Sequence, residues 1–379
     1  MGPLSGVRIV ELASLAPAPF GCMILADLGA QVLRIERSSE HRGLATPAGP
    51  LDRGRRSVAL DLKDAAGVAV LHRLVADADV FVEGYRPGVA ERLGVGPTEL
   101  QQINARLIYA RMTGWGQDGP LASRAGHDIN YIAVAGALEP IGRAGAAPHA
   151  PLNLLGDFAG GGMLMALGIA AALFERERSG RGQVIDAAML DGANLLMSFL
   201  HGVHASGLWP NGRGENALDG AAPFYDTYAT ADAKYVAVGC VEPQFYNELM
   251  AGLGIDVEGE DLPPQLDTAG WPRLKARIAG VFSTKTRDEW AEIFAETDAC
   301  VSPVLSPWEA HKHPHNAART AFIEVDGLIQ PAPAPRFSRT QAERPRAMDE
   351  GGRNSTETLR DWGLTAEEAA GLIDTGAVR

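Results

Sequence analysis

The chain has 379 residues, 46% hydrophobic and 21% charged, with a formal charge of −13. That composition excludes a disordered chain and leaves room for two domains with a substantial core; the acidic balance argues against a general nucleic-acid binder, which needs a basic face. Cys22, Cys240 and Cys300 are far apart and form no CxxC pair, so neither a disulfide framework nor a zinc site is expected. In chain order, residues 7–12 read as a buried strand. Pro17 or Pro19 opens a helix through Cys22 to Leu28, Gly29 closes it, and residues 31–36 read as a second strand. A β-α-β start with a short crossover implies parallel pairing and a right-handed connection. The first turn, from Ala13 to Pro19, carries no GxGxxG, so a nicotinamide dinucleotide is not expected there.

The alternation continues with a strand over 57–62 and a helix over 64–77 whose Val68, Leu71, Leu74 and Val75 share one face. A strand over 80–83, a turn over 84–88, short helices after it and over 97–104, and a strand over 107–113 follow. The pattern is α/β: a Rossmann-like doubly wound sheet, with ligands bound at the carboxyl ends of its strands. Arg37, Arg53, Arg55, Arg56, Lys63, Arg86 and Arg92 fall at those ends or in nearby loops. Such cations read either as solvated loop charge or as a phosphate site built from guanidinium forks, and their placement after strands favours the second.

Residues 158–175 read as a long apolar helix. Its most apolar window, 163–173, falls well short of the roughly 20 residues a bilayer needs. With no signal-peptide pattern at the start, the chain reads as a soluble protein of the cytosol or an organelle. A strand over 183–189, a helical pattern over 191–208 and a Gly-, Asn- and Asp-rich stretch over 212–223 follow. Strands over 224–228 and 234–240 and helices over 244–253, 271–282 and 287–294 read as a smaller α+β domain. The histidines between His311 and His315 read as a solvated loop, because Pro314 breaks the spacing a helical metal site needs. Short helices over 354–362 and 365–372 end the chain. The expected division is a large domain of 1–190 and 330–379, a linker over 191–224, a small domain over 225–320 and a return linker over 321–329.

Two stretches carry the candidate chemistry: Gly126-His127-Asp128-Ile129-Asn130-Tyr131, and Asn153 through Asp157 to Gly160. His127 and Asp157 stand at the two ends of one connection, each just before a helical pattern. That places an acid/base pair at helix N-termini, where backbone N–H groups and the helix dipole can hold a developing oxyanion. Asp157 is expected to receive backbone N–H bonds that favour its charged form. Taken singly, a His or Asp in such a position is more often a cap, and Glu242 could simply close a strand-to-helix turn.

With these stretches, the segments Val10-Glu11-Leu12, Ala26-Asp27-Leu28-Gly29-Ala30, Leu60-Asp61-Leu62-Lys63, Tyr85-Arg86-Pro87-Gly88, Gly182-Gln183-Val184-Ile185-Asp186-Ala187 and Glu242-Pro243-Gln244-Phe245-Tyr246 resemble the α-methylacyl-CoA racemases of the family III CoA-transferase (CaiB/BaiF) superfamily. The resemblance implies an interlocked homodimer whose active site lies between the large domain of one subunit and the small domain of its partner. It implies epimerisation of 2-methyl-branched acyl-CoA thioesters in lipid and fatty-acid metabolism, with no metal and no cofactor beyond the CoA of the substrate. His127 and Asp157 would exchange the C2 proton, with Glu242 beside His127. CoA would be held by Arg37, Leu60, Asp61, Leu62, Lys63, Arg86 and Arg92, and by Gly126, Asp128, Ile129, Asn130 and Tyr131. A cytoplasmic protein without membrane insertion is expected. Two alternatives stand beside this: a CoA-transferase that uses Asp157 as an acyl-anhydride nucleophile, and an inactive acyl-CoA-binding protein. A histidine at 127, and residues 238–243 where transferases commonly carry a glycine-rich loop, favour the racemase over the first. Intact His127, Asp157 and Glu242 weigh against the second.

Overall fold

A computed structural model describes residues 2–37, 49–348, 355–374 and 376–378. The chain divides into two compact units, one of Met1–Ala135, Pro151–Leu196 and Ala318–Arg379, the other of Gly136–Ala150 and Met197–Ala317.

The first unit is built on β1 (Arg8–Leu12), α1 (Pro17–Asp27), β2 (Gln31–Arg37), β3 (Arg55–Leu60), α2 (Ala65–Ala76), β4 (Val80–Glu83), α3 (Val89–Arg92), α4 (Pro97–Ile103) and β5 (Ile108–Thr113). It continues with α5 (Asp128–Val134), a π-helix over Leu154–Met163, α6 (Leu164–Ser179), β6 (Val184–Ala188) and α7 (Met189–Leu196). The six strands pair in parallel in the order β3-β2-β1-β4-β5-β6, which puts the topological switch between β1 and β4. Both faces of the sheet are covered. On β1, Ile9 and Val10 point to opposite sides and enter different core clusters, one with Cys22, Leu25 and Ile169, the other with Leu71, Leu74 and Tyr109. Asp64 starts α2 by accepting from the Ala66 N–H at 2.9 Å. The face of α2 that is buried carries Val70, Leu71, Leu74 and Val75.

β3 and the long apolar helix differ from the expected elements. β3 begins at Arg55, so Arg55 and Arg56 lie within a strand. The helix expected from 158 begins at Leu154 and runs unbroken as π- and then α-helix to Ser179, 26 residues in all. By length and composition this run could cross a membrane, which its most apolar window understates. In the first unit, Met165, Ala166, Ile169, Ala172 and Leu173 bury its inner face against the sheet. Its glycines explain the wide first turns. A Cβ on Gly162 would lie 2.4 Å from the Pro17 carbonyl of α1, and one on Gly192 of α7 would lie 1.9 Å from the Gly160 carbonyl. Backbone thus packs on backbone from both sides, an approach that glycine alone permits.

The pattern over 191–208 is two helices, α7 and α8 (Ser198–Ala205). The second unit adds an antiparallel sheet of β7 (Tyr225–Ala229), β8 (Tyr235–Gly239) and β9 (Val301–Pro303). With it come α9 (Pro243–Leu253), α10 (Trp271–Phe282) and α11 (Arg287–Ile293), around Phe224, Tyr228, Trp271, Phe282 and Trp290. The stretch read as a histidine-bearing loop instead forms a 3-10 turn over Ala310–Lys312 and the short helix α12 (Pro314–Ala318), with Pro314 at the helix start where its missing N–H costs nothing.

Within the stretch read as a return linker, β10 (Phe322–Val325) and β11 (Leu328–Pro331) form a hairpin. Its turn residues Asp326 and Gly327 have φ of 50° and 77°, the left-handed pair that Asp-Gly adopts. The last helices, α13 (Ser355–Asp361) and α14 (Ala366–Asp374), bring Leu359 and Trp362 into the core of the first unit; Asn354, where a helix was expected to start, lies outside the described residues.

Candidate active site

Because the strands of the large sheet are parallel, their carboxyl ends share one edge. The arginines and lysine expected there separate into two groups. Arg55 is fully buried, its Nη1 bonded to both Glu11 oxygens at 3.1 and 2.9 Å and its Nη2 donating to the Pro19 and Leu51 carbonyls. Arg53 holds both Asp27 oxygens, at 3.1 and 2.5 Å, and reaches Gln330 and the Pro331 carbonyl of the hairpin at 2.9 and 2.6 Å. Arg56 pairs with Asp361 of α13. Arg53 and Arg55 are held in buried pairs and Arg56 in an exposed one, and all three are withdrawn from the phosphate reading. Arg37, Lys63, Arg86 and Arg92 are exposed. Lys63, Arg86 and Arg92 have no ion pair among the described residues. Burial raises the Tyr85 phenol above its ordinary pKa, and the Arg37 guanidinium beside it pulls the other way, so Arg37 reaches towards the turn after β4. Leu60 lies in the core with 2% exposure, which leaves its main chain as the part available to a ligand. Asp61 accepts from the Lys63 N–H at 2.9 Å; Leu62 is half-buried.

His127 is the N-cap residue of α5, in extended backbone conformation, with an exposed ring. The Asn130 side chain accepts from the His127 backbone N–H at 3.0 Å and so holds the start of the helix. Ile129 and Asn130 are exposed. Tyr131 is buried: its ring packs edge-on against Trp115 at 4.8 Å and its hydroxyl donates to the Gly126 carbonyl. A Cβ on Gly114 would lie 2.1 Å from that ring, and one on Gly126 2.7 Å. Glycine at 126 therefore admits the phenol that props up the residue before His127. Burial raises the Tyr131 phenol; the carboxylates of Asp157 and Asp128 add to this, and Arg86 opposes it, so all three groups lie near the phenol.

Asp157 differs from its expected placement. It sits inside the first turn of the π-helix, while Asn153 takes the N-cap position. Its carboxylate receives Asn153 Nδ2 at 3.0 Å; the N–H groups of Gly156 and Asp157 are instead bonded to Asp128 Oδ2 at 2.7 Å each. Burial raises the Asp157 pKa above the ordinary carboxylate value and Asp128 adds to the rise, against the lowering by Asn153 and His127. The rise makes protonation easier than in a free aspartate, opposite to the expectation from helix-start N–H bonds. Asn153 lies in the stretch singled out above, but its bond to Asp157 is not among the expectations; the i, i+4 spacing of the two was the available signal. Leu152, just before, holds a left-handed φ of 59°, a conformation that costs a leucine about 1–2 kcal/mol.

In the second unit, Glu242 is the exposed N-cap residue of α9. The strand end before it is held by Gln265, whose Nε2 donates to the Cys240 and Val241 carbonyls at 3.2 and 2.9 Å.

A parallel six-stranded sheet with helices on both faces defines a mixed α/β protein, with a His and an Asp brought together at neighbouring helix starts. Residues 4–351 match the CoA-transferase family III model, and the chain belongs to that family. It is 52% identical over 368 residues to the α-methylacyl-CoA racemase of Mus musculus, covering 96% of this chain and 94% of that protein. It is 48% identical over 367 residues to the racemase of the same name from Homo sapiens, with the same coverage of 96% and 94%. Among solved structures, a CAIB/BAIF family protein from Brucella suis superposes with a TM-score of 0.83 at 25% identity, covering 95% of this chain and 99% of that one.

Proposed function

We propose that the chain racemises 2-methyl-branched acyl-CoA thioesters at C2. The observation that carries this reading is the convergence of His127 and Asp157, close enough for His127 to act on the Asp157 carboxyl, in a chain half identical to proteins named for that reaction. A thioester carbonyl makes the C2 hydrogen only weakly acidic, so its removal needs a base and a stabilised enolate. One of the pair takes the proton from one face of C2, leaving the electron pair in the enolate. The other delivers a proton to the opposite face, and the roles exchange for the other enantiomer. A raised pKa suits Asp157 to both duties, since a base that must also serve as an acid works best near the ambient pH. The Gly156 and Asp157 N–H groups are committed to Asp128, and those of His127 and Asn130 to the start of α5 itself, which leaves the Asp128 and Ile129 N–H groups to face the enolate oxygen.

Arg37, Lys63, Arg86 and Arg92 are assigned to the CoA phosphates, and Glu242 to orienting the protonated His127 ring from the partner subunit of an interlocked homodimer. The dimer is supported by the outer face of the π/α6 helix, where Met163, Leu167 and Phe174 are 56%, 65% and 68% exposed in the single chain. A monomeric mass by light scattering would overturn that part. The reading requires no cofactor beyond the substrate's own CoA.

The reaction is tested by incubating the protein with one enantiomer of a 2-methylacyl-CoA in deuterated water. Deuterium at C2 together with scrambled configuration is expected. Transfer of CoA to an added free acid, with neither exchange nor scrambling, would replace the racemase by a transferase in which Asp157 is the nucleophile.

A further inference from the structure

His127 and Asp157 are 30 positions apart, and the chain between them leaves the first unit at Gly136 and returns at Pro151. The covalent connection therefore does not set the spacing between the start of α5 and the start of the π-helix. One side chain joins them directly. Asp128, the first residue of α5, is 6% exposed, and its Oδ2 accepts the N–H groups of both Gly156 and Asp157 at 2.7 Å. Gly156 is shaped to that contact, since a Cβ there would lie 2.7 Å from the same oxygen. Short bonds from two successive N–H groups to one carboxylate are the strong, charge-assisted kind. Asp128 Oδ1 has no hydrogen-bond partner among the described residues.

We infer that Asp128 is a positioning residue, a clamp that registers the Asp157 backbone on the His127 helix and so sets the separation of the two proton-transfer groups. The inference rests on the proposed racemase reaction and reassigns Asp128 from ligand contact to the spacing of the pair. A two-base inversion depends on both groups reaching one carbon, and a displacement of about 1 Å in such a geometry can cost on the order of a hundredfold. Exchange with retained configuration needs only one of them. Loosening the clamp therefore penalises inversion more than exchange at the His127 face.

The test compares wild type with Asp128→Ala and Asp128→Asn, measuring C2 deuterium exchange and racemisation from each enantiomer. In Asp128→Ala the ratio of retained-configuration exchange to racemisation is expected to rise about tenfold to a hundredfold. Asp128→Asn keeps an acceptor oxygen, and its amide nitrogen replaces an oxygen that makes no bond, so it is expected to restore the ratio. If the alanine variant does not fold, Gly156→Ala, whose Cβ pushes the carboxylate aside, is expected to raise the ratio in its place. Amide hydrogen exchange over residues 154–163 reads the clamp without the reaction: slow in wild type and Asp128→Asn, faster in Asp128→Ala. An unchanged ratio in folded Asp128→Ala or Gly156→Ala, or unchanged amide exchange, would overturn the clamp. Wild-type protein that neither exchanges nor racemises, with amide protection still dependent on Asp128, would overturn the racemase reading and leave the clamp standing.

Discussion

Replacing His127 with alanine is expected to lower racemisation about 10²–10⁴-fold, the range that a positioned acid or base contributes, without loss of folding or CoA binding. The ring is exposed and supports no part of the core, and the helix start beneath it is held by Asn130 through backbone alone. With the histidine gone, Asp157 still abstracts the C2 proton from its own face and returns a solvent-derived one to the same face. Deuterium exchange of one enantiomer, with retention, therefore outlives racemisation. That residual exchange also reports on Asp157. Its pKa is raised by burial, so the ionised base is lost as pH falls through a value above the roughly 3.9 of an ordinary aspartate. A pH series of the exchange rate in His127→Ala checks both points. Racemisation at the wild-type rate would remove His127 from the mechanism, and an exchange limb at or below the ordinary carboxylate range would contradict the environment described for Asp157.

Arg55→Met is expected to destabilise the fold strongly, by up to about 3–5 kcal/mol, because removing one member of a buried pair leaves the other charge with only Arg34, 3.9 Å away. Glu11 of β1 and Arg55 of β3 are both fully buried, and Arg55 also donates to the Pro19 carbonyl of α1. Burial already raises the Glu11 pKa against the lowering by Arg55 and Arg34. Without Arg55 that rise grows. The penalty is then full where Glu11 is ionised in both states, and it fades as pH falls through the folded-state value and the group binds its proton. Denaturant unfolding at neutral and mildly acidic pH measures this, and the loss is expected to be smaller at the acidic pH. Adding Glu11→Leu to Arg55→Met is expected to recover most of the stability, since a buried pair is often replaceable by apolar side chains. Equal losses at both pH values would show that the charge of Glu11 is not what Arg55 compensates.

The large sheet could be read in advance because its strands and helices have opposite periodicities, and burial on both faces makes the strands nearly continuous apolar runs. The smaller unit was read less completely. Three-residue β9 is too short to carry a pattern. In the larger unit, the β10–β11 hairpin was missed although Asp326-Gly327 is a turn signal. The π-helix lay hidden because dense glycine reads as a helix breaker. Here it serves close packing by α1 and α7.

At the site, the residue types alone read as helix caps, and it is the family resemblance of the two stretches that singled out His127 and Asp157. Which arginines face solvent was not legible: Arg53, Arg55 and Arg92 look alike in a list of cations, and only their partners in space separate structural pairs from free charge. The state of Asp157 was misread for the same reason. A helix start promises N–H bonds to the carboxylate at that position, but another carboxylate, 29 residues earlier, took them. Local pattern determines what an isolated segment can do. Competition for the same donors, and the burial that shifts a pKa, arise where segments distant in sequence meet, and they exist only in the folded chain.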